Sequence, residues 1–136
     1  MKIPALCLTL VACGLSLGAS GYQAADPDVT GTWTTTLHRP NGDVEQSTFV
    51  FKQEAGKLTG TYTGPTTCKS CTELRDARVT GTVTGREITF TLNARNPQGQ
   101  DVWRKYEGKI GSATELNGSV NFGGKFTVDW VGAKKN

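Results

Sequence analysis

Histidine is almost absent from this 136-residue chain, with one in total. That single His38 limits metal and triad chemistry before any motif is considered. The pair Cys68 and Cys71 has the spacing of a zinc half-site, but a structural zinc takes four ligands, and the other two cysteines, Cys7 and Cys13, lie in the apolar N-terminal stretch and not in the domain. A histidine-based catalytic set would have to be built on His38, with Asp43 or Glu45 nearby in sequence. A lone histidine between strands is usually a solvated surface residue, so no catalytic set and no metal site is expected, and no cofactor is implied. Single-sign charge is also lacking. The net charge is +3, from 15 Lys and Arg against 12 Asp and Glu, and the two signs are interspersed. A nucleic-acid binder needs a stripe of Lys and Arg, so nucleic acid is excluded as the expected partner.

A helical period is missing as well. From Val29 onward no apolar 3.6-residue repeat outlasts one turn, and no apolar run approaches the roughly 20 residues of a membrane span. The one apolar stretch is at the start. Met1-Lys2 is followed by uncharged, small and apolar residues to Leu17, then by a small-residue segment, the order of a secretory signal. Residues 1–25 are therefore read as an export signal and 26–136 as one domain. Two fates of the leader stay open. Cleavage after Gly21 or Ala24 releases a periplasmic or secreted protein. Alternatively, Leu10-Val11-Ala12-Cys13 resembles a bacterial lipobox, which would put a lipid on Cys13 and tie the domain to the envelope membrane. Beyond the leader only Cys68 and Cys71 remain, and an even pair in an exported chain predicts a disulfide.

What is present is threonine, glycine and short alternating segments. Alternation predicts eight strands, at 30–37, 44–53, 57–63, 76–84, 87–94, 102–110, 115–122 and 125–131, none containing proline. The connections at 54–56, 85–86 and 111–114 are tight. Those at 38–43, 64–75 and 95–101 are longer or more polar, and 123–124 is short. In a meander alternate connections lie at opposite ends, so the three tight ones share one end and the long ones the other. Closing eight antiparallel strands into an up-and-down barrel removes both exposed edges. The expected fold is a single all-β, eight-stranded antiparallel barrel with one narrow end and one mouth.

Period-two parity assigns the interior. Trp33, Phe49, Phe51, Leu58, Tyr62, Val79, Val83, Ile88, Phe90, Leu92, Tyr106, Ile110, Leu116, Val120, Phe122, Phe126, Val128 and Trp130 face inward. The same parity turns Thr35, Glu45, Ser47 and Arg104 inward near the mouth, although Trp103 competes with Arg104 for the inside of its strand. A buried Glu and a buried Arg must pair or bind a ligand, since an isolated buried charge is too costly. The interior is then either a filled core or an apolar pocket with a wet mouth. The ligand-facing candidates are Trp33, Thr35, Glu45, Ser47, Tyr62, Phe90, Arg104 and Tyr106. The function expected is binding of a small apolar or amphipathic molecule. The alternative is a protein-interaction or inhibitor domain using Arg39, Lys69 and Arg95 on the long-loop rim.

A recurrent word, apolar–polar–Gly–polar–apolar, appears as Val29-Thr30-Gly31-Thr32-Trp33, Leu58-Thr59-Gly60-Thr61-Tyr62 and Val79-Thr80-Gly81-Thr82-Val83. The first two, with Thr63, resemble the avidin and streptavidin family of biotin-binding barrels. Gly-Thr-Trp starts are also similar to lipocalin-like barrels. The avidin resemblance implies an inner-wall role for Trp33, a ligand contact for Tyr62 and a closing role for the loop at 64–75. It covers about 35 residues, and the family's Asn two residues after the Trp is Thr35 here.

Overall fold

A computed structural model describes residues 27–66, 68 and 71–136. The leader with Cys13, and Lys69 on the rim, lie outside the described residues. The described residues form eight strands: β1 (Gly31–His38), β2 (Val44–Glu54), β3 (Lys57–Thr63), β4 (Arg75–Thr84), β5 (Glu87–Arg95), β6 (Asp101–Ser112), β7 (Glu115–Phe122) and β8 (Phe126–Lys134). Each pairs antiparallel with the next, and β1 pairs with β8 from Trp33↔Lys134 to Leu37↔Trp130, so the barrel closes in sequence order. Most boundaries fall within two residues of those expected. The last strand instead runs three residues further, because its end carries the β1 pairing that closes the barrel.

The interior is filled. Rings from five of the strands form one cluster: Phe90 stacks on Tyr106 with centroids 4.6 Å apart, Phe49 sits edge-on to Phe90 at 5.3 Å, and Tyr62 packs on Phe49 at 4.9 Å. Trp130 closes against Tyr106 at 5.5 Å. An eight-stranded barrel is only wide enough for its own side chains or one small ligand, and here the rings occupy that width. The inward assignment holds with small differences. Val29, Leu37 and Ala94 join the core, while Phe126 and Val128 are only half-buried against it.

The narrow end is sealed by the lead-in to β1. Val29 is buried there, its carbonyl accepts from Trp33 Nε1 at 2.8 Å, and its amide donates to Gln53 Oε1 at 2.9 Å. The β2–β3 hairpin beside it turns through Ala55 at φ 49° and Gly56 at φ 80°. Both central residues of such a tight hairpin turn need positive φ, which costs an alanine about 1–2 kcal/mol and an asparagine less. Ala55→Asn, at an exposed position, is expected to raise stability by about 1 kcal/mol, read as a melting-point rise of about 4–8 °C. No rise would mean that the turn relaxes in solution.

Glycine in the recurrent word, which in weaker form also reads Tyr106-Glu107-Gly108-Lys109-Ile110 and Leu116-Asn117-Gly118-Ser119-Val120, has a steric reason. Gly108 and Gly118 face each other across β6 and β7, and Gly118 pairs with Trp130 on β8. A Cβ on Gly118 would run into the Glu107 carbonyl and the Gly108 Cα, and one on Gly108 would press on the Trp130 indole at 3.0 Å. The wall is pinched here, and the indole fills the space inside it. Gly118→Ala is therefore expected to cost about 1–3 kcal/mol in denaturant unfolding, the usual range for overpacking. A neutral result would show that β6 and β7 can separate freely.

Candidate functional site

The mouth is organised around one carboxylate. Parity brings Glu45 inward from the start of β2, where it is 1% exposed. Its Oε2 accepts from Arg39 Nε at 3.0 Å and Nη2 at 2.9 Å. Its Oε1 accepts from Arg104 Nη1 at 2.5 Å and from the Tyr62 hydroxyl at 3.3 Å. Of the two outcomes open to a buried Glu and a buried Arg, a partner or a ligand, the structure shows the pair, with Arg39 added from the loop after β1. Arg104 is inward and Trp103 outward, so the register ambiguity on β6 resolves in favour of the arginine. Tyr62 and Ser47 share a hydrogen bond of 2.8 Å, and Thr35 Oγ1 donates to the Ser47 carbonyl at 3.4 Å. No buried side-chain nitrogen or oxygen among the described residues lacks a partner.

Burial shifts the neighbouring phenols. Desolvation pushes the Tyr62 and Tyr106 hydroxyls above the ordinary tyrosine value, with Arg104 partly opposing it in both. Burial works against the Arg104 charge, but its neighbours Tyr106, Tyr62 and Glu45 outweigh that, and the guanidinium is held more firmly protonated than usual. Both guanidinium groups lie over the Phe122 ring, Arg104 at 4.3 Å and Arg39 at 5.2 Å from its centroid. Phe126 stacks on Phe122 at 4.6 Å.

The long loop after β3 is stapled to this network. Cys68 and Cys71 form a disulfide with Cα atoms 5.3 Å apart. Cys71 Sγ lies 3.5 Å from Glu45 Oε2, and Cys68 Sγ lies 3.6 Å from Asp43 Oδ2. The loop leans on β2 through Thr66, whose amide donates to the Gln46 carbonyl at 2.9 Å.

Above the network is a cavity of about 340 Å³, lined by Arg39 and Arg104, by Phe122, Phe126 and Trp103, and by Leu74 and Lys125 on the rim. Trp103 is 44% exposed. A larger open depression of about 720 Å³ lies on the outer wall over Gly108 and Gly118. It follows from the pinched wall and carries charges of both signs without convergent rings. The mouth cavity is the better site because apolar rings and fixed polar groups converge there.

The sequence-predicted residues separate by depth. Glu45, Ser47, Tyr62, Thr35 and Arg104 belong to one buried network below the cavity, and of these only Arg104 lines it. Phe90 and Tyr106 lie in the ring cluster, and Trp33 lies toward the narrow end against Val29. Trp103, Lys125 and Leu74 were not predicted at the site, and Phe122 and Phe126 were placed only in the core. Two strand-end aromatics flanking Gly123-Gly124 were the available signal: a short turn at the mouth keeps both rings at the rim. His38 ends β1 exposed to solvent.

No protein-family model and no curated protein matches this sequence. Solved structures do resemble it. A redesigned β-barrel, b11L5F_LGL, superposes with a TM-score of 0.60 at 14% identity, covering 84% of this chain and 100% of that one. The redesigned β-barrel mFAP1, bound to DFHBI, gives 0.58 at 15% identity over 79% of this chain and 94% of that one. A second, mFAP0, also bound to DFHBI, gives 0.51 at 16% identity over 79% and 98%. At these identities the likeness is one of fold, and this chain is a closed eight-stranded antiparallel meander barrel of the same architecture.

Proposed function

We propose that this chain is an exported binding barrel that takes a small amphipathic molecule at its mouth rather than in its interior. The observation that carries the reading is the cavity of about 340 Å³, where three aromatic rings meet two clamped guanidinium groups. Its volume is at the lower end for ligand sites, suited to a one- or two-ring molecule. The network beneath it fixes Arg104 before any ligand arrives, which lowers the ordering cost of binding. The redesigned barrels of like fold that hold DFHBI lend support that such a scaffold accommodates a small ligand. Export is supported by the leader and by the Cys68–Cys71 disulfide, a bond that persists in oxidising compartments. We assign no catalytic role to His38.

A thermal-shift screen of small amphiphiles tests the reading. A ligand at one hundred times its Kd is expected to stabilise the fold by about 2.7 kcal/mol. The gain should vanish in Phe126→Ala and persist in Val50→Ala on the outer wall. Stabilisers that act equally on both variants would overturn the mouth as the site. The filled interior and exposed Trp103 favour a second reading, a protein-interaction domain. It predicts that Arg95→Glu, on the rim and outside the cavity lining, abolishes capture of a protein partner while leaving the melting point unchanged.

A further inference from the structure

We infer that the mouth ligand is an anion: an aromatic carboxylate or sulfonate whose negative group meets Arg104 and Arg39 while its ring rests on Phe126 and Trp103. The inference rests on the mouth being the binding site, and it adds the charge of the ligand. Two guanidinium groups share a single carboxylate. Among the described residues, the ion pairs of Arg39 and Arg104 both end on Glu45, whose two oxygens are already engaged. The arginine side chains are 17% and 8% exposed. Asp101, the other carboxylate on the cavity, is 92% exposed and held on Arg95 at 3.6 Å. Lys125 adds a further cation at the rim.

The two arginines therefore carry one positive charge more than Glu45 neutralises, over the Phe122 ring. Water can solvate that excess while the cavity is open. A ligand that displaces the water must replace its solvation. A neutral ring would strand a cation against apolar surface, and a cationic one would add repulsion. An anion supplies the missing counter-charge, and a guanidinium edge suits a carboxylate or sulfonate. Phe126 and Trp103 provide apolar surface for the remainder of the molecule.

The probes are 2-naphthoate, its neutral analogue 2-naphthylmethanol and the cationic 2-naphthylmethylammonium, titrated into the full-length domain and followed by amide and indole NMR shifts. Naphthoate is expected to bind about tenfold tighter than the alcohol, with the amine weakest, and to shift Trp103, Arg104 and Phe126. Lys125→Glu should weaken naphthoate about three- to tenfold, while Lys57→Glu at the narrow end should not. If the alcohol equals naphthoate and both shift the mouth, the mouth site stands and the anion inference falls. If none of the three shifts the mouth, the binding reading itself falls and the inference with it. Equal effects of Lys125→Glu and Lys57→Glu would trace the preference to overall charge and also overturn the inference.

Discussion

Glu45→Ala is expected to lose about 3–5 kcal/mol of folding stability in denaturant titration, the usual cost of removing one partner of a buried ion pair. The structure says why this residue should be so sensitive. Its carboxylate is the common acceptor for Arg39, Arg104 and Tyr62, and it is 1% exposed. Removing it leaves the 8%-exposed Arg104 without its counter-ion. Arg39 is better placed to turn outward, since its side chain is 17% exposed and it follows the end of β1. The double variant Glu45→Leu/Arg104→Met should therefore recover most of the loss, because apolar replacement of a whole buried pair is often neutral. A single-variant loss under about 1 kcal/mol would mean that the mouth network is solvated like a surface pair. An unrecovered double variant would point to lost packing instead of stranded charge.

The second large effect is expected at high pH. Tyr62 and Tyr106 are both held above the ordinary phenol value of 10.0, chiefly by burial. In the native barrel these phenols keep their protons to higher pH than in the unfolded chain. Above pH 10.0 the unfolded state thus binds fewer protons, and stability must fall as pH rises. The contribution is complete below that pH and is lost on the way up through the folded-state values. Each phenol gives a slope of about −1.4 kcal/mol per pH unit, and the two together about −2.7. Unfolding free energies measured from about pH 10 upward should show this fall. Tyr62→Phe should halve the slope, even though it also removes a hydrogen bond to Ser47 and Glu45 at neutral pH. A slope unchanged by both Tyr→Phe substitutions would mean that the hydroxyls titrate as exposed groups.

These expectations trace back to different levels of information. That Glu45 and Arg104 face inward was legible from alternation alone, as was their need for a partner or a ligand. That they meet each other was not. Residues 45 and 104 lie on β2 and β6, which are not neighbours in the barrel, and only closure carries one side chain across to the other. Arg39 was visible only as a loop cation, because a connecting segment has no parity to say which way it points. Trp103 posed the opposite difficulty: on β6 the apolar pattern fits either face near the mouth, and the inward turn of Arg104 to Glu45 settles it.

The sequence by itself determined the strands, the meander order, the two unlike ends and the core-facing parity, and it predicted the Cys68–Cys71 disulfide that the structure contains. Each of these depends on neighbours in the chain, on a period of two, or on a short ring of residues. Only the tertiary structure decided that the ring cluster fills the interior, that Val29 plugs the narrow end, and that a cavity lined by Phe122, Phe126 and Trp103 sits at the mouth. Those are questions of volume and of distance across the barrel. Parity says which side chains enter a space, but the closed wall sets how much space there is and which of them touch.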